Sequence, residues 1–383
     1  MPSPKILKCL ALTLAAVSLA ALLNAQQAPT PPAGGQMVSI PVTVHDKHGK
    51  TISGLSQNDF QVDEDGRPQT IRSFSLDNDQ PLTFGLLIES RLARDKNFGQ
   101  QRSATEKFVD EILREGKDKA FLIHFDREVE LLQDFTSSRQ KLDEAINSLP
   151  GRAESSGGRE RDSNSRRGGQ GARRGGGVAL NDAVYLAANE MLQKQPGRKA
   201  IIILTQGLDR GSKMRDAQAI EAAQRANIVV YSILLPRQQE QRQQSPYDTD
   251  GPVGRPGGYP PGYPGGYPRY PGGPRPYPQP RPQPPQERGD PKQLLQPLSK
   301  DTGGRLFELS KKQTIEQTYQ EIQEDLRNQY NLGYTSDRPG DGSDYHRIQV
   351  STKQKDVAVQ ARNGYYVTRS PDAKSDAKKD KQN

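Results

Sequence analysis

The sequence predicts an α/β protein in which a doubly wound, mostly parallel sheet with helices on both faces is inserted in a small β-sandwich. Two observations carry this prediction. Buried apolar strands alternate with amphipathic helices through the middle of the chain, a pattern typical of a parallel sheet. Short strands occupy both flanks, and the C-terminal flank is not long enough to form a sandwich with confidence by itself. We therefore expect the N- and C-terminal flanks to form the sandwich together.

The N-terminal β segment is expected at 37–80. Apolar and polar residues alternate from Val38 to Val44, which is the pattern of a half-buried strand. Two glycine-bearing turns follow, at 47–50 and 64–67, with short apolar runs between and after them. The spacing predicts three or four antiparallel strands.

The α/β domain is expected at 81–329, where apolar runs alternate with helical patterns. A further strand at Val129–Leu132 is expected to form a hairpin with the strand before it. The predicted strands of the parallel sheet are Phe84–Ile88, Ala120–Phe125, Ala200–Leu204, Ile228–Leu235 and Arg305–Glu308. Helices are predicted near 104–113, 138–148, 180–193, 214–226, 291–301 and 315–326.

The C-terminal β segment, 330–368, returns to strand character and is followed by a charged, disordered tail at 369–383. Its predicted strands are Tyr330–Tyr334, His346–Ser351, Val357–Ala361 and Tyr365–Val367.

Composition limits how much of the 383 residues can be core. The hydrophobic fraction is 32%, and many of the 36 glycines and 30 prolines are crowded into 152–177 and 237–290, which we expect to be disordered inserts. A net charge of +8 would by itself suggest nucleic-acid binding. Much of the surplus arginine lies in the two inserts, however, and the foldable remainder is close to neutral. Nucleic acid is therefore not the expected partner.

The N-terminus has the pattern of an export signal. Lys5 and Lys8 precede an apolar run, Cys9–Leu23, and we predict a signal peptide at 1–25 and a linker at 26–36. The run is too short for a comfortable membrane span, so no transmembrane segment is expected after cleavage. An uncleaved anchor is the alternative. The predicted location is exported, periplasmic or extracellular.

The strand Thr83–Glu89, which ends in an acid, resembles the first strand of the von Willebrand factor A family. Four further phrases resemble the exported VWFA-related proteins common in acidobacteria: Leu55–Phe60, Leu132–Thr136, Thr302–Arg305 and Leu326–Tyr334. The resemblance covers about 37–368, apart from the two inserts. The segments together are specific for this group of proteins, whereas any one of them alone is a weak signal.

This resemblance implies a metal-ion-dependent adhesion site at the carboxyl edge of the sheet. Its signature is an Asp-x-Ser-x-Ser run, a Thr from a second loop and an Asp after a further strand, which supply hard oxygen ligands to Mg²⁺. In this chain the corresponding positions are Glu89, Arg91, Ala93, Val178 and Gln206. Four of the five ligands are replaced and the fifth is a lengthened acid, so we predict a degenerate site and no metal.

Two alternatives remain for these loops. Arg91 either pairs with Glu89, placing a cation where the metal would lie, or points into solvent. Asp182 and Asp209 are nearby acids that would serve as rescue ligands, which leaves weak binding of Mg²⁺ or Mn²⁺ open. No other cofactor is expected.

Catalytic constellations are poorly represented, and no catalytic residue is predicted. The four histidines lack metal-ligand spacing, and His124 is interpreted as a satisfied core histidine. The chain has no phosphate-binding loop, nucleophile elbow or dinucleotide fingerprint. Cys9, the only cysteine, leaves with the signal peptide, which excludes disulfides and cysteine nucleophiles from the mature chain.

The predicted function is an exported, non-enzymatic protein-interaction module. Both inserts are expected to leave from the upper, carboxyl edge of the sheet, next to the degenerate site, so an unknown protein or envelope polymer is expected to bind there. The alternative is a structural or glycan-associated envelope protein that uses the Tyr/Pro/Gly/Arg-rich insert. A hydrolase is a third, less favoured hypothesis.

Overall fold

A computed structural model describes residues 36–76, 79–90, 92, 97–149, 178–236, 290–336 and 345–367. The signal peptide, both inserts, the charged tail and nearly all of the linker lie outside the described residues, so the predictions for them remain predictions. No helix of the described part is long and apolar enough to cross a membrane.

The N-terminal flank contains four strands. Each is short apart from the first, and a turn at Asp65-Gly66 joins the second to the third. The strands are β1 (Gln36–Asp46), β2 (Phe60–Glu64), β3 (Arg67–Gln69) and β4 (Ser73–Leu76).

The middle of the chain alternates strands with helices. The strands are β5 (Leu82–Glu89), β6 (Lys119–Phe125), β7 (Val129–Thr136), β8 (Arg198–Thr205), β9 (Val229–Leu234) and β10 (Leu306–Glu308). The helices are α1 (Phe98–Ile112), α2 (Arg139–Asn147), α3 (Leu180–Leu186), α4 (Asp216–Arg225), α5 (Pro291–Asp301) and α6 (Ile315–Arg327). A π-helical turn at Ala187–Leu192 extends α3, where the sequence predicted one continuous helix.

These strands form a six-stranded sheet in the order β10-β9-β8-β5-β6-β7. All neighbours are parallel except β7, which runs antiparallel to β6 as the predicted hairpin. One apolar layer packs α1, α2 and α6 against the sheet, and a second layer packs α3, α4 and α5 against its other face. The predicted doubly wound α/β class is therefore confirmed.

The centre of this sheet requires a glycine. Every residue of β5 is buried, and a Cβ at Gly85 would collide with the ring of Phe121 on β6. The ring occupies the space that a side chain would need, so glycine lets Phe121 pack over the centre of the sheet.

The C-terminal flank supplies β11 (Tyr330–Ser336), β12 (Tyr345–Thr352), β13 (Val357–Ala361) and β14 (Gly364–Tyr366). One sandwich sheet has the order β13-β1-β11-β4 and the other the order β14-β12-β2-β3. In the first sheet, β1 pairs with β11 and β13, so Ile40 lies opposite Leu332. Strands of the two flanks alternate in this first sheet, and β12 pairs with β2 in the second, so both flanks surround a shared apolar core. This confirms that the α/β unit is inserted in a sandwich built from both flanks.

Candidate functional site

The carboxyl ends of the parallel strands share one edge, which we call the carboxyl edge; the opposite edge is the amino edge. Glu89 ends β5, and Gln206 follows the neighbouring strand β8. Val178 lies just before α3, and its carbonyl oxygen accepts hydrogen bonds from the N–H groups of Arg210 and Gly211, both at 3.1 Å. Three of the five predicted positions therefore meet at this edge. Arg91 and Ala93 lie outside the described residues, so the Arg91–Glu89 ion pair remains a prediction.

Glu89 is buried, with 1% of its surface exposed. Its Oε2 accepts hydrogen bonds from Oγ1 of Thr205 at 2.7 Å and from the backbone N–H of Gln206 at 2.8 Å. The Thr205 hydroxyl oxygen in turn accepts from the N–H of Gly207 at 2.9 Å. The carboxylate therefore fixes the turn that follows β8, because it satisfies both a hydroxyl and a backbone donor there.

Sequence reasoning assigned no role to Thr205. The signal that could have found it is a hydroxyl residue at the end of the buried strand β8, next to β5, which ends in the acid Glu89. A longer acid than Asp reaches across from β5 to this hydroxyl and to the next backbone N–H. The extra methylene of Glu89 therefore gives its carboxylate the reach for these two hydrogen bonds.

Val178 occupies the position of the family's threonine with an aliphatic side chain that is 1% exposed. It belongs to the apolar layer that also contains Leu180 and Ala183 of α3. The side chain therefore contributes packing to this loop and has no oxygen to offer a cation.

Asp209 and Asp182, the predicted rescue ligands, hold the loop between β8 and α4. Asp209 Oδ2 accepts from the N–H of Asn181 at 2.9 Å, and its Oδ1 accepts from the N–H of Ser212 at 3.2 Å. Asp182 Oδ1 accepts from the N–H groups of Lys213 at 3.0 Å and Met214 at 2.8 Å. Both carboxylates thus tie this loop to the first turn of α3.

This donor set does not fit a hard divalent cation, which takes several carboxylate, hydroxyl or carbonyl oxygens at once. The Val178 side chain brings none, and its carbonyl oxygen already accepts from two N–H groups. Glu89 Oε2 likewise accepts two protein donors. In the described part of the chain, no group of three or more His, Cys, Asp or Glu side chains is arranged to hold a metal ion.

The exposed charges of the same loop are mostly positive. Arg210, Lys213 and Arg215 are exposed, while Asp182 and Asp209 are half-buried and accept backbone hydrogen bonds. The described surface of this loop therefore presents three cations to solvent, next to the exposed Asp216 at the start of α4.

Described residues next to both predicted inserts also lie at this edge. Val178 follows the first insert and contacts the β8–α4 loop. Leu235, just before the second insert, donates its N–H to the carbonyl oxygen of Thr205 at 2.8 Å. Pro291, just after it, touches Gly207 closely enough that a Cβ on that glycine would collide. The chain positions flanking the inserts thus agree with the predicted topology.

The interpretation of His124 as a core histidine is wrong. Its side chain is 17% exposed, and its Nε2 lies 2.9 Å from Oε2 of Glu130 on the adjacent strand β7. The sequence pattern misled because His124 follows three buried residues yet lies near the end of β6, where the edge strand β7 leaves the ring partly open.

No family model and no curated protein sequence matches the chain. Among solved structures it resembles a von Willebrand factor type A protein from Catenulispora acidiphila, with 9% identity, a TM-score of 0.38, and 90% of this chain and 76% of that one covered. BatB from Bacteroides thetaiotaomicron aligns at 16% identity and a TM-score of 0.37, over 65% of this chain and 99% of that one.

Proximal thread matrix protein 1 from the mussel byssus aligns at 14% identity and a TM-score of 0.33, over 43% of this chain. The alignment spans only 38% of the mussel protein's length. These likenesses are too distant to carry an argument about function. The von Willebrand factor A-like class rests on the sheet order and the two helical layers, and the narrower acidobacterial resemblance remains a prediction.

Proposed function

We propose that this protein is an exported, non-enzymatic interaction module whose von Willebrand factor A-like domain binds its partner without a metal ion. The observation that carries the proposal is the position of Glu89. The one acid retained at the family's metal site is buried and accepts hydrogen bonds from Thr205 and Gln206, so it acts as a brace for the loop. Export rests on the N-terminal signal, and the non-enzymatic character rests on the lack of catalytic motifs in the sequence.

The expected partner is a protein with an acidic patch. In the family, the bound metal keeps an open position for a carboxylate of the partner. In this chain Arg210, Lys213 and Arg215 are exposed at the same edge. Guanidinium groups bind carboxylates through paired hydrogen bonds, so fixed cations take over the role that the metal plays in the family.

The test is recovery of envelope proteins from the source cells on the immobilised mature chain, with and without EDTA. The test variant is Arg210→Glu, Lys213→Glu and Arg215→Glu. The matched control is Lys107→Glu, Lys119→Glu and Lys141→Glu, which makes the same charge change at exposed lysines outside the carboxyl edge. We expect the first variant to lose the recovered proteins, the control to keep them, and EDTA to have no effect.

Loss of recovery in EDTA, or equal recovery by the two triple variants, contradicts the proposal. Deletion of 237–290 separates it from the alternative of a glycan-associated envelope protein. If binding depends on that insert and is indifferent to the three cations at the carboxyl edge, the alternative is correct.

A further inference from the structure

A second candidate site lies at the amino edge, far along the strands from the family's site. A pocket of about 170 Å³ opens where the α/β unit meets the sandwich. We call it the basal pocket. Its polar lining comes from both units and includes Ser39, Arg198, Lys199, Asn227, Gln329 and Asn331.

The basal pocket is lined by cations and neutral donors. None of the described residues that line it is Asp or Glu, whereas Arg198 and Lys199 both belong to it. Burial lowers the pKa of Lys199, and no described carboxylate offsets that effect. A half-buried ammonium without a counter-charge is costly, so the pocket favours an anion.

The uncharged side chains of the pocket include hydrogen-bond donors. The Ser39 hydroxyl donates to Oδ1 of Asn331 at 2.6 Å, which leaves the Asn331 amide NH₂ group for the pocket. Gln329 is only 4% exposed, lines the same pocket, and makes no side-chain hydrogen bond within the described part of the chain. A buried amide in that state normally faces a ligand or water.

Asn227 adds an amide from a strained position. Its φ of 54° is in the left-handed region, which glycine and asparagine adopt most readily. It lies between α4 and β9 and lines the basal pocket. The turn therefore places another potential donor in the pocket that Lys199 lines.

A larger neighbouring pocket is lined by Arg114, Arg198 and Arg327. Contacts within the protein account for the arginines Arg198 and Arg327. Arg327 donates to the carbonyl oxygen of Glu111 at 2.6 Å, and Arg198 donates to that of Leu326. These carbonyls end α1 and α6, so both guanidinium groups cap helix C-termini. The basal pocket differs because the ammonium of Lys199 has no such partner among the described residues.

We propose that the basal pocket binds a tetrahedral oxyanion, as phosphate, sulfate or a phosphoryl group. The Lys199 ammonium supplies the positive charge that attracts the anion, and Arg198 adds to the positive potential while it caps α6. The amide groups of Asn227, Gln329 and Asn331 can donate to the anion's oxygens. Because Lys199 and Asn227 belong to the α/β unit and Asn331 to the sandwich, a bound oxyanion links the two units. Its binding should raise the unfolding midpoint, since a ligand that binds only the native state stabilises it.

The test measures binding of inorganic phosphate to the mature chain by isothermal titration at constant ionic strength, with chloride as the background anion. Parallel titrations use sulfate and glycerol 3-phosphate, which separate a free ion from a phosphoryl group on a larger molecule. We expect one site per chain for phosphate and a higher unfolding midpoint in phosphate than in chloride.

The test variant is Lys199→Met and the control is Lys119→Met. Both lysines pair in register with Thr83 of β5, Lys199 from β8 on one side and Lys119 from β6 on the other. Lys119, however, is exposed and does not line the basal pocket. Lys199→Met should weaken phosphate binding at least about ten-fold and should fold, since it removes a half-buried charge. Lys119→Met should bind like the unmodified chain.

Asn227→Gly keeps the left-handed backbone and removes one donor, so it should weaken binding by a smaller factor. The proposal is overturned if phosphate binds no better than chloride. It is equally overturned if Lys199→Met and Lys119→Met bind phosphate alike, because the ion then binds adventitiously elsewhere.

Discussion

The acids at the two edges of the central sheet differ in whether cationic side chains are among their partners. At the carboxyl edge, Glu89, Asp182 and Asp209 accept hydrogen bonds from hydroxyl and backbone N–H groups of nearby loops. At the amino edge, Asp118 and Asp325 accept from arginine and histidine side chains. Glu89, at a ligand position of the family's metal site, thus fixes loop geometry together with Asp182 and Asp209. Asp118 and Asp325 instead pair with cationic side chains.

This difference indicates where stability depends on charge. Asp325 of α6 is fully buried and contacts Nε2 of His45 on β1 at 2.7 Å. It also accepts from the Thr51 hydroxyl at 2.9 Å and from Nη1 of Arg305 at 3.4 Å. One carboxylate therefore connects the sandwich to the α/β unit, whereas each carboxyl-edge acid described above acts within the α/β unit.

The largest expected effect comes from separating the flanks. Deletion of 330–368 should unfold 37–77, because β1 loses its partners on both sides and β2 loses β12. Amide hydrogen exchange measures the result, and deletion of the tail 369–383 is the control. Unchanged protection in 37–77 would refute the shared sandwich.

Asp325→Ala should cost about 3 kcal/mol of unfolding free energy, since it removes the buried acceptor of His45 and Thr51. Arg305 keeps its ion pair with Glu321. The comparison is Asp209→Ala at the carboxyl edge, which loses backbone hydrogen bonds of one loop and should cost about 1 kcal/mol. Denaturant unfolding of both variants measures the difference. Equal costs would contradict the contrast between the edges.

Asp118→Asn should cost about 2 kcal/mol at neutral pH. Burial opposes ionisation of Asp118, but the Arg114 guanidinium and the N–H groups of Leu82 and Arg114 outweigh it and lower the pKa. The carboxylate thus stabilises the fold above its unfolded-state pKa of 3.8, and this contribution disappears as the pH falls through the lower folded-state value. Unfolding measured across acid pH should therefore show a shallower decline in the variant, and an identical slope would exclude Asp118 as a contributor.

The smallest effects concern Glu89. Glu89→Gln should cost less than about 1 kcal/mol, because an amide oxygen can still accept from Thr205 and Gln206. Glu89→Asp restores the family's residue type but shortens the reach by one methylene, so it should destabilise more than Glu89→Gln does. The unfolding midpoints of the two variants are compared, and Glu89→Asp is expected to have the lower one. A higher midpoint for Glu89→Asp would show that the length of Glu89 does not stabilise the loop.

The sequence could predict the fold because its signals were local and periodic. Alternating residues marked β1, and continuous apolar runs marked β5 and β8, each within two residues of the observed bounds. The limited length of the C-terminal flank was the signal that the two flanks share a sandwich, and the strand pairing confirms that prediction. The π-helical turn after α3 has no distinct composition and was not predictable from pattern.

The candidate site could be predicted only as a set of aligned positions. The sequence predicted that Glu89, Val178 and Gln206 lie at one edge of the sheet. It could not reveal that Glu89 accepts a hydrogen bond from Thr205, because the two residues are 116 positions apart. The basal pocket was missed for the same reason. Lys199 and Gln329 belong to segments 130 positions apart, and no pattern in the sequence indicates that they line one pocket.

The most direct test of the account is isothermal titration of the mature chain with Mg²⁺ and Mn²⁺. The comparison variant carries the five family residues together: Glu89→Asp, Arg91→Ser, Ala93→Ser, Val178→Thr and Gln206→Asp. The account predicts that the unmodified chain binds either ion no better than an ordinary exposed carboxylate does, with no change in its unfolding midpoint. A stoichiometric micromolar site in the unmodified chain, lost on Asp209→Ala, would contradict it.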